Sequence, residues 1–191
     1  MTDIDICNIA LTKIGQNTII SFNDESENAR KLNIVYSQIK KALLREHIWN
    51  FANRTEILTL TAIDDDNWKY IYIYPPNCLY IDKIFNISDE DLYFDFEILN
   101  INNQKYIATN LEQARIKYIC DIINPNVYDN LFVECLINKL AGDLAQSITG
   151  NLELSSIFYS LYQETLAKAK TFTVREKRKI LKRKNGYLEC R

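Results

Sequence analysis

The sequence predicts an α+β fold: a bundle of about four helices, an antiparallel β-sheet inserted between the second and third, and a basic C-terminal arm. Three observations carry this. Apolar residues recur three and four apart over residues 3–14, 25–48, 126–148 and 152–172, the period of a helix with one buried face. Residues 55–122 turn instead to aromatic and β-branched residues punctuated by Asn, Asp and Pro, the composition of strands and their turns. Finally, positive charge collects at the C-terminus. A chain of 191 residues suits one core of ordinary size, so residues 1–172 are read as one domain and 173–191 as the arm.

Taken in order, Thr2 is placed to cap the first helix, with Asp3 and Asp5 in its opening turn where the helix dipole favours carboxylates. Ile4, Cys7, Leu11 and Ile14 mark its buried face, and Gly15 suits the left-handed residue that ends it. The connector after it is expected to anchor Ile19, Ile20 and Phe22 inward. Asp24 and Glu27 have capping-box spacing. Ala29, Leu32, Tyr36, Ile39 and Leu43 then form the apolar stripe of a second helix, with Lys31, Lys40, Lys41 and Glu46 on other faces. At 1.5 Å per residue this helix is about 36 Å long.

An antiparallel meander of five or six strands is expected next, near residues 56–61, 68–74, 79–85, 92–98, 105–109 and 115–121, with turns at Asp64–Asn67 and Asn100–Asn103. Pro75 and Pro76 end one strand, because proline cannot donate to a ladder. After Pro125 the helical period returns. Val127, Leu131, Cys135, Leu136, Leu140 and Leu144 describe a third helix stopped by Gly150, and Leu154, Ile157, Phe158, Leu161, Thr165 and Ala169 describe a fourth. Ala141, Gly142 and Ala145 permit a neighbouring helix to come close.

The charge distribution is lopsided. Residues 168–191 hold ten Lys and Arg against Glu176 and Glu189, a net +8, so with −2 overall the preceding residues carry −10. An acidic body with a basic end points to a polyanionic or acidic partner for that end. No apolar run approaches the ~18 residues of a membrane span, and the acidic start Met1–Asp5 is unlike a signal peptide, so a cytoplasmic protein without a membrane partner is expected. The five cysteines, Cys7, Cys78, Cys120, Cys135 and Cys190, are widely spaced and read as reduced core fillers rather than a disulfide or zinc framework.

Residues of the first half resemble the head-to-tail adaptor family of short-tailed phages, often called tail tubular protein A. The opening Ile6-Cys7-Asn8, with Leu11, Lys13, Ile14 and Gly15, matches the family's first helix. Ser26, Glu27, Ala29 and Arg30 match its acidic "SE.AR" segment, and Tyr36, Leu44, Arg45, Trp49, Phe51, Ala52 and Arg54 match the ending of its second helix. Tyr74-Pro75-Pro76-Asn77-Cys78-Leu79 looks like the family's strand entry, with Asn77 and Tyr80 where the family usually has Asp and Arg. The resemblance covers roughly the first 85 residues. It implies a non-enzymatic virion protein, assembled in the host cytoplasm: a ring of twelve copies between the portal and the tail nozzle or a second ring protein. The helices would face the portal and neighbouring copies and the sheet the nozzle, with DNA only as passing cargo. It further implies that a C-terminal segment docks on the portal, here through Arg175, Lys177, Arg178, Lys179, Lys182, Arg183 and Lys184.

On their own terms, Trp49 and Phe51 mark the corner between the second helix and the sheet. Arg45 and Arg54 flank it with guanidinium groups able to tie the turn to carbonyls. The aromatic strand Trp68, Tyr70, Tyr72 is read as tail-facing contact surface or as core. The only histidine, His47, is expected on the helix face one turn before its end. Asp64-Asp65-Asp66 lacks the Gly and distal Glu of a calcium loop and reads as a solvated turn. Asp89-Glu90-Asp91 with Asp95 and Glu97 could serve a glycosidase, but edge-strand charges explain them better. With four glycines no nucleotide-binding loop can be built, and no cofactor or metal is expected. The alternative functions are a DNA-binding accessory protein acting through the basic tail and a small carboxylate hydrolase.

Overall fold

The computed structural model describes residues 1–63, 65–86 and 89–176. It has the predicted mixed α+β architecture: four helices, α1 (Asp3–Lys13), α2 (Glu27–Glu46), α3 (Asn130–Leu144) and α4 (Leu152–Glu176), with seven strands between α2 and α3.

Thr2 caps α1 through a reciprocal pair: its hydroxyl accepts from the Asp5 backbone N–H, and the Asp5 carboxylate accepts from its own. The Thr2 backbone N–H first, then the Thr2 hydroxyl, hold the Asp5 carboxyl below the usual carboxylate range. The connector that follows is pinned by Asn8, whose amide both donates to Ile19 O (2.9 Å) and accepts from Ile19 N (2.8 Å). Ile19 is buried and Phe22 packs on Tyr36, but Ile20 is exposed. The capping expectation for α2 also shifts: Ser26 is the cap, accepting from Ala29 N. Asp24 instead turns back to accept from Ile20 N and Ser21 N.

α3 is central, because buried residues surround it from Phe132 to Leu144, as expected of a helix covered on all sides. It begins later than predicted, since Pro125–Val127 forms a separate 3-10 turn, and its C-terminal extension Ala145–Thr149 widens into a π turn ending at Gly150 (φ 67°). α4 packs along it. Ser155 Oγ donates to Gly142 O (2.8 Å), and the site of a Cβ on Gly142 lies 3.3 Å from the Tyr159 ring, so the absent side chain sets this close approach.

The strands form two antiparallel sheets rather than one meander: β1 (Asn53–Ile57), β7 (Ala114–Cys120), β3 (Cys78–Asn86) and β4 (Asp89–Tyr93) in one, and β2 (Tyr70–Ile73), β6 (Gln104–Thr109) and β5 (Phe96–Ile101) in the other. The chain passes between them four times, at β1–β2, β2–β3, β4–β5 and β6–β7. After β1 it passes at buried Leu58, and Thr59–Thr61 then pair along β2. The segment expected as one strand near residues 92–98 also turns at Phe94–Asp95 from β4 into β5. The β5–β6 hairpin closes through Asn102 and Asn103, both left-handed (φ 50° and 64°), as a two-residue turn matched to strand twist requires.

Two apolar clusters result. The larger joins the helices with Trp49, Ile119 and Ile122; the smaller joins the two sheets through Tyr72, Ile81, Ile84, Ile107, Ile116 and Tyr118. Where the sheets rejoin the helices, Lys40, off the apolar stripe of α2, is nevertheless only 8% exposed. Its ammonium donates to Ile122 O (3.1 Å) and pairs with Asp121 (3.5 Å), which also meets Lys41 (3.4 Å).

Candidate functional site

The corner after α2 is built from a chain that stops being helical at His47, whose extended backbone (φ −150°) turns Trp49 into the core. The indole Nε1 donates to Leu43 O (3.0 Å), satisfying one of the carbonyls a helix end leaves unpaired. Its ring meets Phe132 edge-on at 5.0 Å, and Phe51, Phe132 and Tyr128 continue the aromatic cluster. His47 therefore lies at the cap, not one turn earlier: its Nε2 meets the Thr173 hydroxyl at 2.8 Å, and its ring stands edge-on to Trp49. Arg54 ties the turn as expected, donating to Phe51 O and Asn53 O (both 3.1 Å). Arg45 is exposed at the end of α2, near enough to Tyr74 for its charge to oppose the rise that burial imposes on that phenol.

Three helices are locked just before the corner. The Glu46 carboxylate accepts from the Tyr162 hydroxyl of α4 and pairs with Lys139 of α3 (3.4 Å). Burial first, then the Glu46 carboxylate, pushes the Tyr162 phenol above its ordinary range. Beside this lock an open pocket of about 460 Å³ is lined by Trp49, Phe51, Leu131, Ala169 and Phe172, among others.

The motif residues of the first two helices thus have structural duties. Tyr36 OH donates to Asp3 (2.5 Å), Asn8 clamps the connector and Ser26 caps α2. The strand Trp68, Tyr70, Tyr72 does not present one aromatic face. Tyr72 is 2% exposed and its one hydroxyl proton is shared between Leu111 O and Glu112 O (2.7 and 2.5 Å), so it serves the sheet core. Tyr70 packs against the same core, and Trp68 precedes the strand and donates to Glu97 (3.0 Å). That contact engages one of the carboxylates considered for hydrolysis. Asp65 accepts from Asn67 N and Trp68 N, as a turn residue does.

In α4 the predicted face holds in part: Phe158, Thr165 and Ala169 are buried as expected, together with Tyr162 and Leu166, while Ile157 and Leu161, expected inward, are 50% and 40% exposed. With Phe172, also 50% exposed, they form a second apolar stripe at spacings of 4 and 11, which share one side of a helix. The Glu164–Lys168 ion pair lies along it (2.8 Å). Phe158, Tyr162, Leu166 and Ala169 keep the 4-4-3 spacing of a core face, which competes in the sequence with the stripe that carries Ile157 and Leu161. α4 also runs past the predicted boundary at 172, because Thr173 is buried against His47. Of the basic docking residues, Arg175 lies in the last turn of α4, its guanidinium over the Phe172 ring. Lys177, Arg178, Lys179, Lys182, Arg183 and Lys184 lie outside the described residues.

Burial pushes the Cys7 and Cys135 thiols up to about 12, away from nucleophilic use at neutral pH. Among the described residues no group of three or more His, Cys, Asp or Glu could hold a metal ion, and no helix is long and apolar enough to cross a membrane. No protein-family model matches the chain, and no curated protein matches it.

Proposed function

We propose that this chain is a structural virion protein, a head-to-tail adaptor whose copies form a ring, most simply of twelve, between the portal and the tail nozzle or a second ring protein, leaving a channel for DNA. The proposal assigns it no catalysis. The observation that carries it is the exposed stripe Ile157, Leu161 and Phe172 on α4: a second apolar face on a helix whose first is already buried suits contact with a neighbouring copy. The motif resemblance supplies the kind of assembly. In a ring each such face meets a different face of the next copy, and the rotation closes. An acidic body suits a channel wall that does not grip a passing polyanion. The basic C-terminal residues are assigned to docking on the portal or on the acidic body of a neighbour.

Negative-stain imaging of the protein mixed with the portal of its phage tests this directly, and is expected to show a ring seated on the portal. Leu161→Asp, a substitution at an exposed position, should abolish the ring while leaving the circular dichroism spectrum unchanged. If wild-type protein stays monomeric with portal and is instead retained on duplex DNA in a salt-dependent manner, the basic end is a DNA-binding element and the adaptor reading fails.

A further inference from the structure

Cys78 opens β3 and Cys120 closes β7, and the two are direct partners across the ladder. The next step of that ladder is hydrogen-bonded, Asp121 N donating to Asn77 O at 2.8 Å. Alternation then places Cys78 and Cys120 at a non-hydrogen-bonded site, where facing side chains come closest. The Cα separation of facing residues in such ladders, about 4.5 to 5.5 Å, falls within the range a disulfide spans. The register slips between Cys78 and Tyr80, so the start of β3 has slack to adjust. Both residues are half-buried free thiols, whereas Cys7 and Cys135 are enclosed in the helical core.

We propose that Cys78 and Cys120 form an oxidisable dithiol that closes to a cross-strand disulfide by exchange with a small dialkyl disulfide of the oxidised-glutathione class. One cysteine loses its proton to solvent and attacks a sulfur of the reagent, breaking its S–S bond and expelling one reagent thiolate. The facing cysteine then loses its proton and attacks the protein-side sulfur of the mixed disulfide, expelling the second. The two thiolates take up the two protons, so two protein thiols are oxidised as one reagent disulfide is reduced to two thiols. Burial pushes both protein thiols up, the Arg54 charge opposing this at Cys120, so exchange accelerates as pH rises. Cys120 touches both apolar clusters, so the bridge would fasten β3 to β7 where the sheets rejoin the helices.

The test is incubation of folded, full-length protein with oxidised glutathione at mildly alkaline pH, followed by blocking of remaining thiols and non-reducing peptide mapping. The expected result is loss of two of the five thiols, one cross-link between the Cys78 and Cys120 peptides, and a rise in melting temperature that dithiothreitol reverses. Cys190→Ser should retain the cross-link. Cys78→Ser and Cys120→Ser, each checked for a native circular dichroism spectrum, should lose it. A bridge to any other cysteine, stable glutathione adducts at either position, or both thiols unreacted while an unfolded control exchanges fully, would overturn the proposal.

Discussion

Replacing Trp49 with Ala should be a stability lesion of defined size. An indole removes roughly 200 Å² from water when buried, worth roughly 4 to 5 kcal/mol at ~25 cal/mol per Å². A sealed void would add to that. Trp49, however, lines the open 460 Å³ pocket, so water enters the hole and rehydrates the Leu43 carbonyl that the indole had satisfied. Because an unfolded chain already shields part of its apolar surface, the expected loss is about 3 to 4 kcal/mol. Trp49→Phe keeps a ring against Phe132 and forfeits mainly the Leu43 hydrogen bond, so it should cost about 1 to 2 kcal/mol. Urea unfolding followed by far-ultraviolet circular dichroism measures both without relying on tryptophan emission. A wild-type midpoint for Trp49→Ala, or equal losses for the two variants, would refute the packing account of the corner.

Asp121→Asn removes the negative charge that balances the Lys40 ammonium in a nearly buried site. Because neither partner is fully enclosed, it should cost about 2 to 3 kcal/mol, against less than ~1 kcal/mol for Lys41→Ala at the half-exposed end of the same cluster. Stability should fall as pH rises above the ordinary thiol value of 9.0, because the unfolded chain then ionises Cys7 and Cys135 while the native state keeps them protonated until about 12. Each contributes a slope of about 1.4 kcal/mol per pH unit, so a Cys7→Ala, Cys135→Ala double variant should show a flatter alkaline decline in urea titrations. Truncation after Glu176 should leave the melting temperature nearly unchanged and reduce co-sedimentation with portal rings. Truncation after Phe172 should also destabilise, since it removes the Thr173 contact to His47; equal melting temperatures would contradict that role.

The helices were legible because their buried faces repeat at helical spacing, and Thr2, Gly15 and Gly150 mark ends through local chemistry alone. The strands were legible as segments but not as sheets. Whether Thr59–Thr61 continue β1 or cross to β2 depends on pairing with residues far along the chain, and alternation within one segment carries no such information. The corner was recognisable from its aromatic and guanidinium residues, yet the His47–Thr173 contact joins residues 126 apart. Lys40 lies off the apolar stripe as read, but hydropathy does not register that the Asp121 carboxylate and the Ile122 carbonyl hold it in a nearly buried site. On α4 two apolar stripes compete, and periodicity alone does not say which one a single copy buries.

The path of the chain into and out of the strands has an evolutionary consequence. It enters through Asn53 and returns through Ile119, which face one another on neighbouring antiparallel strands, with Asp121 then fastened to α2. Both crossings therefore occupy one narrow doorway in the helical body. Everything beyond that doorway can lengthen, shorten or be exchanged for another hairpin assembly without altering the span any helix has to bridge. Divergence among descendants of this chain should accordingly accumulate in residues 58–118, while the lengths of α1 to α4 stay constant.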